Sequence, residues 1–555
     1  MLTKSNVPTI TSQCVLGATA NAGSEAPRPG TRAGLPGLAD AFASVGLTDG
    51  STFRTDAPRY DETVEADGST RVIRYRDTEE VLDQAWRIET LDERCFTLLL
   101  TVTNVGKTPL ELAETSPLEG TLTGAYDPSK PHILLNGGSM SRPLPTVPED
   151  GTDVLESTET IALESPSLAA GFLTGKHNVN RFRVTGKGSE ECRVFQTLGG
   201  CDGCRLAPGA SRETDLLFIS FHDNPLEQLE RYADLAGTIN NAKIWPPRVA
   251  WCSWYAGWMH AKMATYRNGL EKGVEESIPL VKKYFADRGG NHTMRICDDY
   301  QPHGDWPNET GTISQGFDRL AKLIADEDII PGVWYPTYWA STESEVFKKH
   351  PDWFALNEDG STWIRESRKA PAPKKTTPDG KARPTTSPEA SGTPWTMQAL
   401  YNMPGRLTFD TSRPDVQQYF ENAARAWRER GFRYVTNDYL GAAMEPPKYQ
   451  DPTLTKVEVM RLGLEAVRRG LGDGVFYRTI AGPIGVRMGL ANDLRISGDS
   501  HGDNPAAYYR TAQVWFYHRR LWLNDPSAVV CSLYGELRPI QWNRMWMSWI
   551  ALSGT

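Results

Sequence analysis

The chain has 555 residues, of which 39% are hydrophobic and 23% charged, with a net charge of -9. That length allows a large core and two to four domains. A mildly acidic chain excludes the basic footprint of a nucleic-acid or anionic-membrane partner. No run of about 18 apolar residues occurs, so no membrane span is expected.

The N-terminus, MLTKSNVPTITSQCVLGATANAGSEAPRPG, lacks the continuous apolar stretch of a secretory signal. The eight cysteines are scattered, and reduced thiols in a cytoplasmic protein are the expectation. Cys201 and Cys204 form a CxxC pair with Cys192 nearby, but no fourth ligand stands at a familiar zinc spacing. The nine histidines show no HxxxH or HExxH spacing. No metal and no cofactor are expected.

Residues 1–50, rich in Gly, Ala, Pro and Ser, read as an irregular start. From 51 to 224 the pattern is short alternating strands. Phe96, Leu98, Leu100 and Val102 share one face, and Asn104-Val105-Gly106-Lys107 turns the chain. Similar runs at Arg71–Tyr75, Val194–Leu198 and Leu216–Phe221 predict an antiparallel β-sandwich of the larger, supersandwich kind. Residues 225–245 form a helical linker, with Leu226, Leu229, Tyr232 and Ala233 on one face and Gly237 as its stop.

From 246 to 555 strands alternate with helices. Eight strands are expected, at 248–254, 292–299, 329–336, 432–438, 474–480, 492–499, 528–534 and 549–554. One intervening helix carries Val416, Phe420, Ala423 and Trp427, another Val457, Met460, Leu464, Val467 and Leu471, and a third spans about 505–523. Eight such units predict a (β/α)8 TIM barrel, making the chain α/β after its sandwich. No GxGxxG follows the first strand, which argues against a doubly wound nucleotide-binding sheet. The Pro-, Lys- and Thr-rich stretch 366–405 interrupts the rhythm after the third strand, as a mobile lid or a surface insertion.

Active sites of such barrels lie at the strand C-termini. There the sequence sets Trp251 and Trp254, Asp298-Asp299-Tyr300, Trp334, Asp438, and Arg495 with Asp499. Taken singly, each Asp is more often a turn or helix-cap residue. Together, acids, aromatics and one Arg without a histidine set suit carbohydrate: carboxylates accept from sugar hydroxyls and indoles cover apolar ring faces. Asp438 and Asp499, each closing a strand, are candidates for paired carboxylate chemistry.

Seven stretches in order, WCSWYAGW, ICDDYQPHGDW, IIPGVWYP, FDTSRPDVQQYF, YVTNDYLGAAM, GPIGVRMGLANDLRISGD and WMSWIALSG, resemble the α-galactosidase-like glycosidases of glycoside hydrolase family 36, with kinship to families 27 and 31. The resemblance implies a retaining exo-α-glycosidase acting on α-galactosides or similar oligosaccharides. It implies Asp438 as nucleophile and Asp499 as acid/base. Asp298, Asp299, Arg495, Trp254, Trp334, Trp306, Asn437 and Thr436 would line the sugar subsite. Two departures stand out. The family's Lys two residues before the nucleophile is Thr436 here, which puts the sugar identity in question. The family's C-terminal β-domain is expected to be absent beyond Thr555. A transglycosylating enzyme of the raffinose-synthase kind and a catalytically silent carbohydrate-binding relative remain the alternatives. Family habit extends the expectation to a homo-oligomer.

Overall fold

The computed structural model describes residues 35, 37–123, 134–135, 154–186, 193–257, 270–288, 291–297, 303–306, 313, 315–365, 405–498, 505–530, 532–533 and 536–553. Two antiparallel sheets come first, of six and nine strands among the described residues. They pack face to face because alternation gives each one apolar side. Phe96, Leu98, Leu100 and Val102 on Cys95–Asn104 are buried, as the pattern predicts, and share one core with Val45, Leu118, Phe182 and Phe195 of the other sheet. The first of these strands, Leu38–Leu47, lies inside the segment read as irregular. Its pairing with Leu110–Leu122 carries register shifts, which break the clean alternation that makes a strand legible.

The helix Pro225–Ile239 follows, capped by Asn224, whose side chain accepts from the Glu227 N–H. It is more than a linker. Tyr232 is fully buried, its hydroxyl donates to the Phe172 carbonyl at 2.8 Å, and the helix packs between sandwich residues and Met488, Leu494 and Phe516 of the second half.

The second half is built on one parallel sheet. Its strands run, in chain and spatial order alike, Val249–Cys252, His292–Cys297, Ile330–Tyr335, Tyr434–Asn437, Phe476–Thr479, Asp493–Arg495 and Leu523–Asp525. The first six fall where the sequence puts them. The seventh does not: residues 526–530 lie outside any strand, Ser532–Leu533 pairs antiparallel with Glu536–Leu537, and Leu523–Asp525 joins the parallel sheet beside Asp493–Arg495 instead. The β-branched run Val529–Val530 has strand propensity, but propensity yields where no partner strand is available. Of the eighth expected strand, 549–554, the described residues 549–553 belong to the helix Ile540–Ser553. Trp542, Trp546 and Trp549 recur at helical spacing, and Trp546 and Trp549 both pack edge-on against Tyr508. A short apolar run was read there by content rather than by period. The sheet therefore has seven parallel strands among the described residues, curled and helix-covered, rather than the eight expected.

The helices expected around Val416 and Val457 form as Pro414–Glu429 and Lys456–Leu471. The second opens on a capping box, with Thr455 and Glu458 satisfying each other's backbone N–H. Glu458 also ties the two halves together. It forms an ion pair with Arg212 at 2.7 Å and lies 2.8 Å from His177 Nδ1, both on the sandwich. Burial opposes its charge, yet these partners hold its carboxyl below the ordinary range. A little further along the seam Gly175 meets Gly485 so closely that a Cβ on Gly175 would stand 2.2 Å from the Gly485 carbonyl carbon, so only glycine fits.

Glu159 reaches across the same seam and accepts from the Gly485 N–H at 3.4 Å. Burial, and then the Asp215 charge, push its carboxyl up from 4.5 to about 8. The native state therefore holds a proton that the unfolded chain releases between those values. This contribution to stability is full below pH 4.5 and lost as pH rises through 8. Glu159→Gln is expected to flatten the fall in melting temperature between pH 5 and 8, with a ceiling on the order of 4 kcal/mol. An unchanged slope in pH-resolved thermal melts would assign that fall to other groups.

Candidate active site

The fourth parallel strand buries every one of its side chains, and they alternate. Val435 and Asn437 face the helices; Tyr434 and Thr436 face the inside of the curled sheet. Asp438 follows at the C-terminal end. Its Oδ2 accepts from the Trp334 indole N–H at 3.0 Å and its Oδ1 from the Tyr439 backbone N–H at 2.6 Å. Two donors fix both oxygens of one carboxylate, which is how a reactive acid is held in a single orientation.

Trp334 comes from the end of the third strand, in register with Thr436 on the fourth and Cys297 on the second. It clusters with Cys252 and Cys297, and Trp254 and Tyr255 pack against them. The Tyr255 hydroxyl accepts from Arg495 Nη1 at 3.4 Å, and Arg495 Nη2 donates to Ser527 Oγ. Thr436 Oγ1 lies 3.4 Å from Arg295 Nη1, a buried guanidinium on the second strand. Asp438, Trp334, Trp254, Thr436 and Arg495 thus gather at the C-terminal ends of the parallel strands.

Two expected subsite residues sit elsewhere. Asn437 is fully buried on the helical face and accepts from the Tyr477 hydroxyl at 2.6 Å, because neighbouring strand residues point to opposite sides. Trp306 is one layer back in the helix-side core, 5.1 Å from the Tyr335 ring and linked to the Trp334 side through His303. Asp298, Asp299 and Asp499, along with the insertion 366–404 and Cys192, lie outside the described residues.

Several contributors escaped the sequence reading. Tyr439 has φ 54°, a left-handed conformation uncommon for an aromatic residue, and it is 42% exposed beside the carboxylate. Its ring stacks on Trp339 at 4.0 Å and 17°, and the Arg406 guanidinium lies 4.4 Å from the centre of the same indole. A strained, supported and accessible aromatic face beside a fixed carboxylate suits a ring-stacking ligand. Arg487, fully buried, adds a positive charge near Asp438. Burial pushes it down to about 9, against the nearby Asp438 carboxylate. It remains a cation in neutral solution. Only Tyr439 carried a sequence signal, its place directly after Asp438; the other three depend on tertiary approach.

Among the described residues no group of three or more His, Cys, Asp or Glu side chains could hold a metal ion, and no helix is long and apolar enough to cross a membrane.

The family model described as Melibiase matches residues 258–369. The α-galactosidase AgaA of Geobacillus stearothermophilus is 26% identical over 156 residues, a match covering 27% of this chain and 20% of that protein. The match thus spans about a fifth of the relative's length. The chain is α-galactosidase-like. Its fold agrees. The α-galactosidase of Thermus thermophilus in complex with stachyose superposes with a TM-score of 0.52 at 16% identity, over 89% of this chain and 94% of that one. A family 36 AgaA structure holding 1-deoxygalactonojirimycin gives 0.55 at 16% identity, over 92% and 75%. Asp438 lies at the strand C-termini of the half that carries the family match.

Trp334→Phe tests the geometry alone. It keeps the ring and removes one donor to Asp438. A charge-assisted bond of this kind is worth roughly 1.5–3 kcal/mol, so kcat on an aryl α-galactoside is expected to fall about 10- to 100-fold with KM little changed. A fall confined to KM would show that the indole serves binding and leaves the carboxylate's orientation to other groups.

Proposed function

We propose that this protein is a retaining exo-α-glycosidase that removes terminal α-galactosyl units from oligosaccharides. The observation that carries the reading is the Asp438 carboxylate, held by an indole N–H and a backbone N–H at the end of the fourth strand, beside an exposed aromatic face. In this reading the curled sheet works as a (β/α)8-type barrel with its site at the strand ends, as in the family it resembles.

The steps follow from the chemistry of two carboxyls. Asp438 attacks the anomeric carbon from the β face, opposite the departing group, while Asp499, protonated, gives its proton to the departing oxygen. The covalent glycosyl-enzyme is then opened by a water that Asp499 deprotonates. Both transition states resemble an oxocarbenium ion, and the fixed anionic carboxylate stabilises them without reorganising. Trp254, Trp334 and Tyr439 supply apolar faces to the sugar, with Asp298, Asp299 and Arg495 for its hydroxyls. Thr436 and the Arg295 cation beside it set the sugar preference on that wall. Trp306 and Asn437 act from behind by holding Tyr335 and Tyr477 in place. No cofactor is required, and a homo-oligomer would leave these steps unchanged.

A panel of 4-nitrophenyl α- and β-glycosides tests the reading. The expected result is turnover of the α-galactoside, with the α-anomer as the first product seen by proton NMR. A β-anomer first would replace retention by inversion. Turnover of no sugar at all would favour a carbohydrate-binding role. Disaccharide formation at high acceptor concentration would point to transglycosylation.

A further inference from the structure

The wall beside Asp438 holds two thiols to which the glycosidase steps give no task. Cys252 closes the first parallel strand and Cys297 the second. Register sets Cys252 opposite Arg295, so Cys297 lies two residues further along the same face. Both side chains are nearly buried, and they touch each other and Trp334 in one cluster. The two thiols are hydrogen-bonded to one another.

Arg295 makes this pair unlike a pair of core cysteines. Its Nη2 donates to Cys252 Sγ at 3.1 Å and its Nη1 reaches Thr436 at 3.4 Å. It is only 4% exposed, and among the described residues no carboxylate forms an ion pair with it. The cations that do pair on this wall show the contrast, since Arg478 contacts both Asp493 and Asp525. A buried guanidinium calls for an anion, and among the described side chains it is hydrogen-bonded to, the one that can become an anion is the Cys252 thiol. Burial raises that thiol, but the Cys297 hydrogen bond and the Arg295 charge outweigh burial and bring it below the usual thiol range. A thiolate with a second thiol in contact is the arrangement that reacts with hydroperoxides and then closes on itself.

We infer that Cys252 and Cys297 form a hydroperoxide-sensitive thiol pair on the wall of the active site, with Cys252 reacting first and Cys297 resolving. The Cys252 thiolate attacks the terminal peroxide oxygen, the O–O bond breaks, and hydroxide or alkoxide leaves, giving Cys252 sulfenic acid. The Cys297 sulfur then attacks the sulfenic sulfur. The S–S bond forms, the S–O bond breaks, and hydroxide departs with the Cys297 proton as water. Two thiols lose two electrons in all and one peroxide gains them. Closure brings the sulfurs to about 2.05 Å, which draws together the ends of the first two strands. It also removes the anion that Arg295 faces and so frees that guanidinium from its hold beside Thr436. Activity is expected to fall when the bond closes and to return on reduction.

The test is peptide mapping of the full chain after hydrogen peroxide, with activity followed in parallel. The expected product is lighter by about 2 Da, with the Cys252 and Cys297 peptides linked, and dithiothreitol reverses both the mass change and the activity loss. Cys252→Ser is expected to give no linked product. Arg295→Met is expected to slow linkage at pH 7 at least tenfold. A second buried pair, Cys201 and Cys204 in the sandwich, serves as an internal comparison. Linkage of that pair alone, or activity loss in Cys252→Ser equal to that of the unaltered protein, would overturn the inference. So would oxidation of Cys252 to sulfinic acid with Cys297 left reduced. Because the mass readout needs no turnover, a protein that hydrolyses no glycoside still answers the question.

Discussion

Asp438→Ala is expected to lower kcat/KM for 4-nitrophenyl α-galactoside by about 10⁴-fold or more, with the circular dichroism spectrum unchanged. The size follows from the role. On the proposed double displacement, removing the carboxylate prevents a glycosyl-enzyme from forming and leaves the oxocarbenium-like centre without its fixed counter-charge. The fold should tolerate the change, because Asp438 lies beyond the last residue of its strand and its two oxygens bond to Trp334 and Tyr439 rather than to the ladder. Azide separates a nucleophile from a mere electrostatic helper. Entering the space that the side chain vacates, it would attack from the same face and yield the β-galactosyl azide, restoring turnover. A loss under tenfold, or α-azide as the product, would remove Asp438 from the nucleophile's role.

Asp499→Ala is expected to show an effect that depends on the leaving group. On a trisaccharide such as raffinose the departing alcohol needs a proton, and a loss on the order of 10³-fold or more is expected. With 4-nitrophenoxide, a good leaving group unaided, glycosylation should proceed and the glycosyl-enzyme should accumulate, because the base that activates water is gone. Rapid-quench kinetics would then show a burst followed by slow turnover, and azide would speed that slow phase with the α-azide as product. Equal losses on both substrates would assign Asp499 to positioning and leave the acid to be found elsewhere. Asp438 and Asp499 together thus predict opposite azide products, which neither a metal-assisted nor an inverting mechanism would give.

The helix Lys456–Leu471 was legible throughout, because Val457, Met460, Leu464, Val467 and Leu471 repeat at helical spacing and all are buried. The strand Cys95–Asn104 was legible for the same reason at period two. The helix Ile540–Ser553 was misread as a strand in its last third, since a six-residue window is too short to tell the two periods apart. Leu523–Asp525 was missed because a three-residue strand carries almost no pattern of its own. In the site, Asn437 shows the limit most plainly. It neighbours Asp438 in sequence, yet the pleat turns it to the opposite face, where Tyr477 holds it.

By itself the sequence determined the order of a β-sandwich and a strand-helix half, the six strand positions that carry the polar ends, and the resemblance that selects Asp438. Those are local or ordered signals, read along the chain from period, turn and motif. Only the tertiary structure decided what surrounds that carboxylate. The Trp334 indole comes from 104 positions earlier, the Arg406 guanidinium reaches Trp339 from the far side of the insertion, and Arg295 meets both Cys252 and Thr436. Such contacts depend on strand register and on which charges are forced out of water together, and neither is written in any one stretch of the chain.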